Sequence, residues 1–168
     1  MSTIVEATEA DAEGIAAVFA PYVTGSVVTF ETTPPTAGQW RAKIRESTWP
    51  FLVLAEEGEI LGYALAAPWR PKPAYRFSVE TTIYLAPRAA GRGHGRRLLG
   101  ELLKRCEEAG ARQAIAVIVD SGHPASRSLH RAAGFTDAGV LRRVGFKHDR
   151  WLDTLLMQRE LGYCADGQ

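Results

Sequence analysis

Thr8-x-x-Asp11 is a helix-start signal, and Ile15, Val18, Phe19 and Tyr22 then fall on one face with a period near 3.6, predicting a helix from about Ala10 to Ala20. Thr36-Ala-Gly-Gln39 has the spacing of a capping box. Trp40 and Ile44 share one side of the helix that follows, which must stop before Trp49-Pro50. Between the two, Gly25 to Pro35 reads as a loop. Phe51 to Glu56 and Ile60 to Ala66 are apolar runs joined by Glu57-Gly58-Glu59, the pattern of a β-hairpin. Pro71 and Pro73 take the chain out of the sheet, after which Phe77 to Leu85 alternates as another strand that Pro87 ends.

From Arg96, residues Leu98, Leu99, Leu102, Leu103 and Cys106 repeat at helical spacing up to Gly110, where glycine suits a left-handed cap. Ala114 to Val119 is apolar throughout, as a buried strand is. Strand, helix and strand in that order predict a right-handed parallel crossover. Ser126 to Ala133 reads as a short helix closed by Gly134, and Val140 to Phe146 and Trp151 to Arg159 as closing strands. The fold class expected is α/β, with a mixed, mostly antiparallel sheet flanked by helices. One domain over residues 1–168 is expected, with 161–168 as a flexible tail.

Composition narrows the function classes. The 168 residues are 46% apolar and 23% charged, ordinary for a globular chain. With 20 Lys and Arg against 19 Asp and Glu the net charge is +1, which argues against a nucleic-acid partner. No apolar run approaches the roughly 18 residues of a membrane span. The start, Met1 to Ala7, has neither the basic nor the apolar region of a secretory leader. Cys106 and Cys164 are isolated and form neither a metal site nor a disulfide framework, so a reducing cytoplasm without a bound metal is expected.

The chemistry concentrates after the strand that ends at Leu85. Gly91-Arg92-Gly93-His94-Gly95-Arg96 places three glycines between a strand and a helix, where the backbone can turn tightly and unpartnered first-turn amides face a ligand. Such a turn binds anions. From Arg88 to Arg105 there are six cations against one anion, Glu101. The dinucleotide pattern G-x-G-x-x-G fails, because Arg96 and Leu98 stand where the third glycine belongs, and no Gly-Lys-Ser/Thr exists for a P-loop. A short diphosphate cradle remains, beside the plainer reading of a basic glycine-rich loop.

Gly93-x-Gly95 after that strand resembles the turn of the GNAT superfamily of acetyl-CoA-dependent N-acetyltransferases, with Ala90 where the family carries Gln or Arg. A closer resemblance, to the phosphinothricin and methionine sulfoximine acetyltransferase group, is carried by several segments in order. They are Val28-Thr-Phe-Glu31 followed by Trp40, Val79 to Arg88, Ser126-x-x-Leu129-His130-x-x-x-Gly134-Phe135, Val144 to His148, and Trp151-x-Asp153. The resemblance implies that Gly91, Arg92, Gly93, His94, Gly95 and Arg96 hold the coenzyme diphosphate. Ile83, Tyr84 and Leu85 then line its pantetheine arm, near His123 and Ser126, with His123 standing where the family usually has Asn. It also implies a homodimer.

Acetyl transfer to an amine needs a base, a held thioester, donors for the developing oxyanion and a proton for the thiolate. Glu80, a carboxylate inside a strand run, is the base that the resemblance implies; without it an exposed strand residue paired with an arginine fits as well. His130, one turn after Ser126, is placed to protonate the thiolate, or to act as the base itself with Glu80 positioning the acceptor. Backbone amides near Tyr84 serve the oxyanion by likeness. An amino-acid acceptor calls for cations, and Arg76, with Lys72 and Arg70 nearby, is the candidate for its carboxylate; Phe30, Glu31, Tyr75 and Phe77 complete the expected substrate pocket. The rival readings are an acetyltransferase for another amine, such as a peptide N-terminus or a polyamine, and a coenzyme-binding sensor without turnover.

Overall fold

The computed structural model describes residues 1–162. In chain order it comprises β1 (Thr3–Glu6), α1 (Ala12–Gly25), α2 (Ala37–Glu46), β2 (Phe51–Glu56), β3 (Glu59–Pro68), β4 (Ser78–Leu85), α3 (His94–Glu108), β5 (Gln113–Val119), α4 (Ala125–Ala132), β6 (Thr136–Lys147) and β7 (Arg150–Glu160). Seven strands form one sheet in the order β1-β2-β3-β4-β5-β7-β6. Every neighbouring pair is antiparallel except β4 and β5, which run parallel and are bridged by α3.

Alternation along the strands sends apolar side chains to both faces of this sheet. On one face Leu52, Leu54, Ala64, Ala66, Val79, Ala114, Ala116 and Met157 pack with Leu98, Leu99, Leu102 and Leu103 of α3. On the other, Phe51, Val53, Tyr63 and Leu65 pack with Ile15, Val18 and Phe19 of α1 and Trp40 of α2. At roughly 1.5–3 kcal/mol for each large aliphatic or aromatic side chain taken from water, these two layers supply the main stabilisation.

The predicted elements recur with shifted ends. The capping box at Thr36 is formed on both sides: Gln39 N donates to Thr36 Oγ1 at 3.1 Å, and Thr36 N donates to Gln39 Oε1 at 2.8 Å. α1 runs to Gly25, past Pro21 and five residues beyond the predicted end, because Val23 is buried and the Tyr22 hydroxyl donates to the Leu85 carbonyl. α3 begins at His94 rather than Arg96. β1 carries no strong pattern in the sequence, since three of its four residues are exposed at the sheet edge. Leu161 does not belong to a loose tail: it is buried in the core and its N–H donates to Arg112 O at 2.8 Å. Residues 163–168 of the expected tail, with Cys164, lie outside the described residues.

One irregularity organises everything that follows. The β4–β5 ladder stops at Thr81 opposite Ala116. β4 nevertheless stays paired with β3 as far as Leu85, and β5 with β7 as far as Val119. The two parallel strands therefore separate, and the gap between them opens through the sheet.

Candidate active site

A cavity of about 1060 Å³ occupies this gap. Glu80 to Leu85 of β4 form one wall and Ala116 to Val119 of β5 the other; His123, Ser126, Leu129 and His130 close it on the α4 side, and Tyr22, Phe30, Glu31, Trp40 and Lys43 on the α1 and α2 side. Beyond Thr81 the β4 backbone edge facing β5 has no ladder partner, and the buried hydroxyls of Thr81 and Thr154 in the lining have no hydrogen-bond partner among the described residues. An extended ligand with amide groups can use such unsatisfied donors and acceptors.

Glu80 is paired in register with Ala67 of β3 and Ile115 of β5. Its neighbours Val79 and Thr81 point toward α3, so Glu80 points the other way, toward α1 and α2. Burial raises its carboxyl above the ordinary range, against the opposing pull of the Arg70 and Lys43 charges. It makes no ion pair among the described residues, which removes the reading of an arginine-paired surface carboxylate.

His130 is 2% exposed and packs edge-on against Phe135, ring centroids 5.0 Å apart. Its Nδ1 lies 2.7 Å from Ser126 O, and because a carbonyl only accepts, Nδ1 carries the proton and Nε2 the lone pair. Burial lowers its pKa, so the ring is neutral at pH 7 and accepts a proton before it can give one. His123 has the opposite tautomer. Its Nδ1 accepts from Ala125 N at 3.2 Å, capping α4, which leaves Nε2–H as a donor at the cavity wall.

At the other end the cavity reaches Ala90, and Gly91 to Gly93 continue from it, exposed to solvent. Gly91 and Gly93 have φ of +76° and +77°, a left-handed backbone natural to glycine, and Gly93 is the N-cap of α3. No atom lies within 4 Å of where a Cβ would stand on either. An open cradle of helix-start amides leading to a slot between splayed strands fits a coenzyme with a diphosphate and an amide-containing arm.

The cation excess in this stretch is smaller than the sequence suggests. Arg88 pairs with Glu59 at 2.9 Å, Arg92 with Glu56 at 3.2 Å, and Arg105 with both Glu101 and Glu6. Arg97 donates to Ser2 Oγ at 2.8 Å. Arg92 is thus held by the β2–β3 hairpin, while Arg96 has no ion pair among the described residues. The His94 ring is buried, with neither ring nitrogen hydrogen-bonded among the described residues.

Phe30 and Glu31 line the cavity on its α1 and α2 side, whereas Tyr75, Arg76 and Phe77 do not line it. Pro73 starts a short 3-10 turn that leaves Tyr75 43% and Phe77 48% exposed, and the Arg76 guanidinium lies 4.4 Å from the centroid of the Phe77 ring. Lys43, Tyr22 and Lys147 escaped the sequence reading. Lys147 is buried, its Nζ donates to Thr29 O at 2.9 Å, and Gly145 leaves room for the Phe30 ring, so β6 fixes the loop that carries Phe30 and Glu31. The sequence signal for Lys43 was its place one turn after Trp40; Tyr22 stood on the predicted face of the first helix but without a partner, and Lys147 lay within the resembling segment Val144 to His148 without a role.

Among the described residues no three His, Cys, Asp or Glu side chains gather to hold a metal, and no helix is long and apolar enough to cross a membrane.

Residues 16–135 match the acetyltransferase (GNAT) family. The phosphinothricin N-acetyltransferase of Alcaligenes faecalis is 47% identical over 154 residues, covering 90% of this chain and 78% of that protein. The L-methionine sulfoximine/L-methionine sulfone acetyltransferase of Pseudomonas paraeruginosa is 35% identical, covering 95% of both. The crystal structure of a GNAT superfamily phosphinothricin acetyltransferase from Sinorhizobium meliloti in complex with acetyl-CoA superposes with a TM-score of 0.93 at 43% identity, covering 99% of this chain and 92% of that one. With its parallel seam opened beside a half-buried carboxylate and its glycine cradle at a helix start, this chain belongs to the GNAT family and is an acetyl-CoA-dependent N-acetyltransferase.

Proposed function

We propose that this enzyme acetylates the α-amine of a small amino acid of the phosphinothricin, methionine sulfoximine or methionine sulfone type, by direct attack in a ternary complex. The observation that carries the reading is the end of the β4–β5 ladder one residue after Glu80, which sets a half-buried carboxylate beside a slot running to the glycine cradle. The names of the relatives support the acceptor class.

Bound acetyl-CoA supplies a thioester carbonyl open to attack. Amides of residues 91–96 hold its diphosphate, and the free edge of Ile83 to Leu85, with His123 Nε2–H and Ser126, receives its amide arm. Glu80 takes the proton of the incoming amine; the burial that raises its carboxyl brings it closer to the working pH and makes it a stronger base. His130 acts on the opposite face of the sheet, where Nε2 takes the second proton that the nitrogen sheds after attack and gives it to the sulfur as the C–S bond breaks. Arg70, whose charge acts on Glu80, receives the α-carboxylate.

The enzyme works as a homodimer in the cytoplasm, the compartment that keeps the buried Cys106 thiol reduced. The dimer is supported by a strip of exposed apolar side chains on β6 and β7, where Val140, Leu141, Val144, Phe146 and Trp151 all face solvent in the monomer.

Thiol release from acetyl-CoA, followed with phosphinothricin, methionine sulfoximine, methionine sulfone, spermidine and a peptide N-terminus, tests the reading. Turnover with one or more of the first three is expected; turnover with only the last two, or none at all, would overturn it.

A further inference from the structure

Three basic residues project from α2, and two of them are occupied. Arg41 pairs with Glu13 at 2.6 Å and Arg45 with Glu9 at 2.8 Å, tying α2 to the start of α1. Lys43 makes no ion pair among the described residues and is the only lysine or arginine among those that line the cavity. Its ammonium lies 5.4 Å from the centroid of the Trp40 ring. That ring is fixed in turn by edge contacts with Phe19, Phe51 and Tyr63, so the charge rests on a rigid platform.

Two carboxylates share this side of the cavity, Glu31 and Glu80. The charge of Glu31 acts on the buried Lys147 ammonium, which hydrogen-bonds the neighbouring Thr29 carbonyl and offsets it. Glu80 and Lys43 are no closer than the 4.0 Å limit of an ion pair, yet the Lys43 charge acts on the Glu80 carboxyl, more weakly than Arg70 does. Two opposite charges facing one cavity without touching suit a ligand that spans them. If the amine sits at Glu80 and the adjoining α-carboxylate at Arg70, Lys43 on the α2 wall is left to face the side chain of the acceptor.

We propose that Lys43 sets side-chain specificity in the acceptor pocket, its ammonium binding an anionic distal group such as a phosphinate or carboxylate and so favouring acidic acceptors over neutral sulfones. This rests on the acceptor reading given above. An ammonium on an aromatic platform donates up to three hydrogen bonds to the oxygens of such a group, whereas a sulfone offers oxygens of much lower charge.

The test compares wild type, Lys43→Met and Lys43→Arg with saturating acetyl-CoA and two acceptors, phosphinothricin and methionine sulfone. Methionine keeps the stem over Trp40 while losing the charge. Lys43→Met is expected to raise KM for phosphinothricin about tenfold, the size of one charged hydrogen bond, with kcat and the methionine sulfone KM within about twofold and Lys43→Arg recovering most of the loss. An equal rise for both acceptors, or no change for either, overturns the proposal while leaving the acetyltransferase reading intact. A wild-type enzyme that releases no thiol with either acceptor overturns the acceptor reading and this inference with it.

Discussion

Glu80 and His130 line one cavity from opposite faces of the same sheet. Val79 and Thr81 flank Glu80 and point toward α3, whereas α4 brings His130 against Phe135 in the layer that α3 covers. The separation of β4 from β5 lets both side chains reach the same space. The proposed mechanism uses this arrangement, with Glu80 as the base on one face and His130 as the proton carrier on the other.

His130 links the site to stability. A buried imidazole whose pKa is lowered by folding binds its proton more readily in the unfolded chain. Its contribution is complete above about pH 6.5, the ordinary imidazole value, and is lost as pH falls from there through the lower folded value. Urea unfolding between about pH 7 and pH 5 is expected to show falling stability for the wild type and a shallower fall for His130→Phe. Equal slopes would contradict this.

At the cradle, the reason for glycine is backbone conformation rather than crowding. Gly93 has φ +77° with no atom within 4 Å of a Cβ position, so Gly93→Ala meets strain of about 1–2 kcal/mol without a collision. The first turn of α3 is expected to shift, raising KM for acetyl-CoA severalfold while KM for the acceptor stays near wild type. Equal effects on the two substrates would detach the turn from the coenzyme.

Gly145 answers a different need. A Cβ there would stand 2.1 Å from the Phe30 ring, so Gly145→Ala must push Phe30 from the cavity wall. Overpacking of this kind costs about 1–3 kcal/mol. Thermal unfolding should move to lower temperature and the acceptor KM should rise, with the acetyl-CoA KM spared. Adding Phe30→Ala should restore the lost stability, since it removes the ring that collides.

The dimer reading is tested at Trp151, 65% exposed and packed on Phe146 with ring centroids 5.0 Å apart. Trp151→Asp places a charge in the apolar strip, beside Phe146 at its hairpin end. Sedimentation velocity should give twice the chain mass for the wild type and the chain mass for the variant; a monomeric wild type would refute the proposed assembly.

Features with a local cause were legible in the sequence. The Thr36 capping box, the hairpin around Glu57-Gly58-Glu59 and the leucine stripe of α3 are all written within a few residues. Resemblance, rather than periodicity, drew attention to Glu80 and His130. Illegible features depend on partners far along the chain. Pro21 argues for an early end of α1, yet Tyr22 reaches the Leu85 carbonyl 63 residues away. Lys147 reaches Thr29 across 118 residues. The six cations from Arg88 to Arg105 looked like a phosphate site, but the acids that neutralise three of them sit on β1, α3 and the β2–β3 hairpin. Tyr75, Arg76 and Phe77 looked like pocket residues because Glu80 follows closely, while the prolines before them turn the loop away from the cavity.

The rate of acetyl transfer against pH, for the wild type and Glu80→Gln, tests the central claim most directly. Glu80 must be ionised to accept the amine's proton, so kcat/KM of the wild type should fall on the acid side as this half-buried carboxyl takes up a proton, at a pH above the ordinary carboxylate range. Glu80→Gln should lower kcat/KM by about 10²–10³-fold and remove that limb, leaving only the titration of the acceptor's own amine, with acetyl-CoA affinity unchanged. A variant that keeps the wild-type rate and the same acid limb would show that the carboxylate beside the opened seam is not the base.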